Sequence, residues 1–316
     1  MKTLIVGAGA VGGYFGGRLA EAGRDVTFLV RPPRAAELAA NGLRIHSRHG
    51  DVVIPRPRTV LAEDLAHGVD QHFDLVLLSC KAYDLDGAIS SFAPAVGPQT
   101  AIVPLLNGMR HLTVLSDRFG AERVLGGLCF IAATLDASRD IAHLSKPHGL
   151  TFGEISGGIS PRVEAISGLM QGALFDAQAS PAILLEMWEK WVFLATLAGG
   201  TCLMRASVGQ IVSAPGGVEF LSGLLDECRS IAASEGFAPR AEPVARLRAT
   251  LTAPESSLTA SMLRDLERGG RIEADHIVGD LLDRARTRGI AAPLLALAYT
   301  HLKAYEAKQT FSPPVN

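Results

Sequence analysis

Short apolar runs broken by turns fill the first half of this 316-residue chain, and apolar residues at helical spacing fill the second. Residues 4–6, 26–30, 73–79, 101–106, 123–128 and 150–154 read as strands. Helical patterns lie between them, so the strands are expected to form one parallel sheet covered on both faces, with their carboxyl ends lining one crevice. From Pro181 onward the texture changes. Residues 184–198, 218–235, 258–268, 272–287 and 293–308 carry helical periodicity, separated by turn signals at Gly199-Gly200, Pro215-Gly216-Gly217 and Gly269-Gly270. An α/β domain over 1–180 and an all-helical domain over 181–316 follow as expectations, with 311–316, including Pro313-Pro314, as a loose tail.

The first strand runs into Gly7-Ala8-Gly9-Ala10-Val11-Gly12, and a helical stretch over 14–22 ends at Gly23 before the second strand. That order is a dinucleotide-binding βαβ unit at the start of a Rossmann-type doubly wound sheet. Gly7 permits the tight turn, Gly9 lets a pyrophosphate approach the backbone, and Gly12 lets the helix pack against the sheet. The helix N-terminus then offers its unpaired N–H groups to the phosphates. The second strand ends in Arg31, with Arg34 three residues on and no carboxylate at the strand end, since Asp25 precedes it. An arginine there suits the 2′-phosphate of NADP(H) better than the bare ribose of NAD, although a solvated surface pair is the alternative.

Two further strand ends carry polar residues. Lys81 follows the strand over 73–79, and Asn107-Gly108 follows that over 101–106. Groups in these places face the ligand in open α/β sheets, yet Asn107-Gly108 also reads as a plain turn and Lys81 as a solvated loop residue. In the second half, Met187-Trp188-Glu189-Lys190-Trp191 sets a lysine among tryptophans ahead of an apolar helix. Desolvation there would lower the lysine pKa and make it a better proton donor, unless the side chain snorkels to water.

Composition narrows the partners. A net charge of −2 and no dense basic run give no general attraction for nucleic acid or an anionic membrane. Cys80, Cys129, Cys202 and Cys228 are scattered, with no C-x-x-C pair and no His at ligand spacing, so free thiols are expected and no metal site. The longest uncharged run, 191–204, falls short of the roughly 20 residues that span a bilayer. The amino-terminal apolar stretch is needed as the first strand, which argues against an export signal. A soluble cytoplasmic protein is expected, and a homodimer stays open.

The glycine loop, the Lys and Asn-Gly at strand ends, Trp188-Glu189-Lys190, Ser261-Met262-Leu263-Arg264-Asp265 and Glu273-Ala274-Asp275 occur in an order that resembles the ketopantoate reductase family, also called 2-dehydropantoate 2-reductases. The resemblance spans nearly the whole chain. It implies NADPH-dependent reduction of a 2-oxo acid, most directly 2-dehydropantoate to pantoate in pantothenate biosynthesis, in a cleft between the Rossmann and helical domains. By the same resemblance Lys190 is the general acid, and Glu273 holds that lysine and a substrate hydroxyl. Ser261 binds the substrate carboxylate, Asn107 lies near nicotinamide and substrate, and Lys81 contacts cofactor or substrate.

The chain departs from the family where asparagines follow the catalytic lysine. Leu194, Ala198 and Val208 occupy those positions. If Leu194 and Ala198 line the substrate site, donors to substrate hydroxyls have become apolar, at roughly 1–3 kcal/mol for each unpartnered hydroxyl. The other reading makes them ordinary core. A relative acting on a more apolar 2-oxo acid, and a non-catalytic NADP-sensing protein, are the rival functions.

Overall fold

The computed structural model describes residues 1–68 and 72–311. Of the residues expected to form a loose tail, 312–316 lie outside that description. Two units result: residues 1–106 with 111–183, and residues 107–110 with 184–316.

The first unit begins with β1 (Thr3–Val6), α1 (Ala10–Glu21), β2 (Val26–Leu29), α2 (Pro32–Asn41), β3 (Leu43–His46), β4 (Val52–Ile54), β5 (Thr59–Val60) and α3 (Ala62–Ala66). It continues with β6 (Phe73–Leu78), α4 (Leu85–Phe92), β7 (Val96–Pro104), α5 (Arg110–Phe119), β8 (Leu125–Leu135), β9 (Ile141–Glu154), α6 (Pro161–Met170) and β10 (Asp176–Ala179). Five strands pair in the order β5-β2-β1-β6-β7, and every pairing is parallel. β1 is buried along its whole length, as a central strand covered on both faces must be. The chain reverses direction across the sheet between β1 and β6, so the ends of those two strands form the switch point where α/β sheets take ligands.

The expected single sheet is corrected at its far side. Residues 125–128 and 150–154 belong to a second sheet, β10-β9-β3-β4, with β8 antiparallel on β9, while Val124 makes one isolated parallel bridge to Ile102 of β7. Residues 121–123 form a short 3-10 turn, and β8 starts only at Leu125. β9 pairs parallel with β3 and β10, while β4 pairs antiparallel with β3.

The helices of the second unit, which has no strand among its described residues, are α7 (Ile183–Met204), α8 (Val208–Ser213), α9 (Gly217–Ser234), α10 (Ala241–Leu251), α11 (Ser261–Glu267), α12 (Asp280–Thr287) and α13 (Pro293–Phe311). Two expected helices are corrected. The stretch 258–268 is helical only from Ser261, and 272–287 begins as coil, turns through a π-helical segment at Asp275–Gly279, and becomes α-helical at Asp280. None of the four cysteines forms a disulfide, and burial pushes the Cys202 and Cys228 thiols up to about 12. No described helix is long and apolar enough to cross a membrane.

Candidate active site

The glycine loop has the form its sequence requires. Gly7 sits at φ +96°, a conformation L side chains rarely adopt. A Cβ on Gly12 would come within 2.1 Å of Ser79 Oγ and 2.2 Å of the Gly7 carbonyl oxygen, so only glycine lets α1 approach the sheet this closely. At Gly9 a Cβ would meet nothing within 4 Å, which leaves open space beside the helix N-terminus. Ser79, at the end of β6, donates through Oγ to the Val6 carbonyl at 2.9 Å and clamps the loop from the neighbouring strand. Sequence reasoning missed that role, because a serine at a strand end carries no signal of its own. Ala8 is buried, and Ala10 and Val11 open α1 half-buried.

The two arginines after β2 separate in function. Arg34 is turned inward: its Nε donates to the Ala8 carbonyl at 3.2 Å, and it pairs with Glu37 at 2.9 Å. Arg31 has an 80% exposed side chain and lies 3.5 Å from the Asp84 carboxylate. Lys81 stands half-buried immediately before the short turn that contains Asp84. These residues fit a dinucleotide phosphate: a glycine backbone cradle with open space at Gly9, a helix N-terminus, and a guanidinium on the exposed side of the second strand's end.

On the helical unit, Lys190 lies on α7 and is only 9% exposed. Its neighbours hold the helix from two sides. Glu189 binds Arg240 through Oε2 at 2.6 Å and Oε1 at 2.8 Å. Trp191 Nε1 donates to the Ile277 carbonyl at 2.8 Å. A π turn re-aims carbonyls out of the i→i−4 ladder, and here one of them meets the indole. Glu273, 8% exposed, immediately precedes the helical start of this segment, and its carbonyl accepts the Ile277 amide at 3.0 Å.

His276 sits within the same turn and was not singled out from the sequence. Its imidazole is hydrogen-bonded to the Asn107 backbone. Burial holds its pKa below the ordinary value, against the opposing charges of Glu273 and Asp280. Gly108, at φ +82°, packs so closely that a Cβ would lie 2.7 Å from the His276 carbonyl oxygen. The Asn107-Gly108 pair is thus a turn, and also a turn moulded onto the Glu273 segment. The structure gathers Asn107, Glu273 and His276 around the π turn, to which Trp191 pins the part of α7 that carries Lys190.

The remaining residues lie further along α7. Leu194 is half-buried one turn beyond Lys190, and Ala198 is 2% exposed one turn beyond that. Ser261 is exposed in the first turn of α11, whose start is tied to α7 by the Ala260 amide on Thr201 Oγ1 at 3.3 Å. Val208 is fully buried, its amide bonded to the Leu258 carbonyl at 3.0 Å, so it serves the packing of α8.

The comparisons with known proteins converge. The family model "Ketopantoate reductase PanE/ApbA" matches residues 3–157, and its C-terminal counterpart matches residues 182–306. The uncharacterized oxidoreductase YkpB of Bacillus subtilis is 39% identical over 98% of this chain and all of its own length. A 2-dehydropantoate 2-reductase of Archaeoglobus fulgidus is 30% identical over 92% of each chain. The crystal structure of 2-dehydropantoate 2-reductase from Methylococcus capsulatus superposes with a TM-score of 0.87 at 27% identity, covering 100% of both chains.

Proposed function

The chain belongs to the ketopantoate reductase family and is an oxidoreductase of that family, and we propose that it reduces a 2-oxo acid, foremost 2-dehydropantoate, to the 2-hydroxy acid with NADPH. The observation that carries this reading is the burial of Lys190 on a helix pinned through Trp191 to the turn after Glu273.

NADPH supplies a hydride when bound. Gly7, Gly9 and Gly12 with the N-terminus of α1 would hold its pyrophosphate, Arg31 its 2′-phosphate, and Lys81 would close on it from the end of β6. The ketone oxygen gains negative charge as its carbon is reduced, and the Lys190 ammonium stabilises that charge and delivers the proton. Glu273 orients the lysine, and Asn107, held through its backbone by His276, offers an amide to the substrate. Ser261 binds the carboxylate, so the acid would lie along α7 past Leu194 and Ala198. Four cysteines outside any disulfide support a reducing cytoplasmic setting.

Leu194 and Ala198 favour one second reading, a more apolar 2-oxo acid as the physiological substrate, because neither can serve a substrate hydroxyl. Steady-state kcat/KM with NADPH across 2-dehydropantoate and simple branched and aromatic 2-oxo acids separates the two. A value for 2-dehydropantoate no better than for the branched acids removes it as the substrate. No turnover with any of them, alongside intact NADPH binding, leaves the sensor reading.

A further inference from the structure

A second cluster of titratable side chains lies in the first unit and takes no part in the chemistry above. His49 stands in the turn between β3 and β4, and His143 and His148 lie on β9. The rings stack: His49 on His148 with centroids 3.8 Å apart, and His143 at 5.6 Å from each. One ligand nitrogen from each of the three lies within 4.8 Å of the others.

Each ring is also fixed through a ring nitrogen. Tyr14 OH meets His148 Nδ1 at 2.7 Å, Ser47 Oγ meets His143 Nδ1 at 2.9 Å, and His49 Nε2 meets the Lys146 carbonyl at 2.8 Å. Such outer partners select the tautomer and orientation of metal-binding histidines. They leave Nε2 of His148, Nε2 of His143 and Nδ1 of His49 as the nitrogens for a ligand. His143 Nε2 makes only 3.3 Å contacts, to the Pro147 carbonyl and to Ser145 Oγ.

We propose that His49, His143 and His148 form a three-histidine site for a borderline divalent metal ion of the zinc class, joining β9 to the β3–β4 turn. Three imidazoles suit zinc, nickel or copper and not the oxygen-seeking magnesium or calcium. Three protein ligands leave a fourth position to water. Zinc–nitrogen bonds of about 2.0–2.1 Å bring tetrahedral ligand nitrogens to roughly 3.3 Å apart, so metal binding would draw the three rings closer than the 4.8 Å within which their nitrogens lie here. Arg18, whose charge opposes a cation here, is paired with Glu21 at 3.0 Å.

The test uses the tag-free full chain after chelator treatment. Calorimetric titration with Zn²⁺ and visible absorption with Co²⁺ should show one saturable equivalent, with the band intensity of four-coordinate cobalt. His49→Ala, at an exposed position, and His148→Gln should each weaken uptake at least 100-fold. Tyr14→Phe should weaken it about 10–100-fold. His46→Ala, in the neighbouring His46, Asp136 and Asp140 group, should leave it unchanged. Circular dichroism confirms folding, and if His148→Gln fails that check, His49→Ala decides. No saturable uptake by the wild type, or uptake indifferent to His49→Ala, overturns the proposal.

Discussion

The Trp191 indole donates to the main-chain carbonyl of Ile277 at 2.8 Å, and this one bond couples the helix bearing Lys190 to the π turn that follows Glu273. Both Trp191 and Ile277 are buried, so the carbonyl has no water to fall back on. The guanidinium of Arg284 lies 5.5 Å from the Trp191 ring and 5.4 Å from that of Trp188, covering the pair from α12.

Trp191→Phe keeps most of the buried ring and removes the donor. The orphaned carbonyl should cost about 1–3 kcal/mol of stability, read from the midpoint of urea unfolding. Catalysis should suffer more than NADPH binding, because the bond lies in the helical unit while the glycine loop lies in the other. An unchanged midpoint with unchanged kcat would show that the π turn needs no anchor.

Lys190→Ala should lower kcat by about 10²–10⁴, the range in which a positioned general acid contributes. NADPH affinity, measured by fluorescence titration, should hold within a few-fold. Survival of turnover would remove Lys190 as the proton donor.

The exposed Arg31 governs cofactor choice in this reading, and Asp84, 3.5 Å away, competes for it. Arg31→Ala should weaken NADPH about tenfold or more while barely touching NADH, since only NADPH carries the phosphate. Asp84→Asn should act in the opposite direction and favour NADPH. Equal losses for both cofactors on Arg31→Ala would refute the assignment.

How far the sequence speaks depends on whether chemistry shows as a local pattern. The β1–loop–α1 unit, β6 and β7 are apolar runs punctuated by glycine, and they were legible. β9 was visible only at its inner end, because its outer part carries His143, Ser145, Lys146 and His148 in place of an apolar run. The π turn keeps enough apolar periodicity through His276, Ile277 and Val278 to pass for α-helix, since one extra residue per turn leaves no mark in a single sequence. His276 and Ser79 escaped notice for a related reason: their work is done on backbone groups distant in the chain. Lys190 was marked by its tryptophan neighbours and took its role from family resemblance, while Glu273 was found through that resemblance alone, as its proximity to other site residues cannot be read from its neighbours.

The Glu189–Arg240 pair next to Lys190 makes stability depend on pH in a defined direction. Burial alone would raise the Glu189 pKa, but the Arg240 side chain and backbone amide outweigh it and hold the carboxyl below its usual 4.5. A carboxyl depressed in the folded state stabilises the fold fully above the unfolded value, and that contribution disappears as pH falls through the lower folded value. Urea midpoints should therefore be flat from pH 7 to about 5 on account of this pair and decline below 4.5. Glu189→Gln should lower the neutral-pH unfolding free energy by about 1–2 kcal/mol, a modest figure because Arg240 is half exposed. The variant should also shed part of the acid-range slope. If wild type and variant lose stability in parallel between pH 5 and 3, the pair is a surface contact without energetic weight.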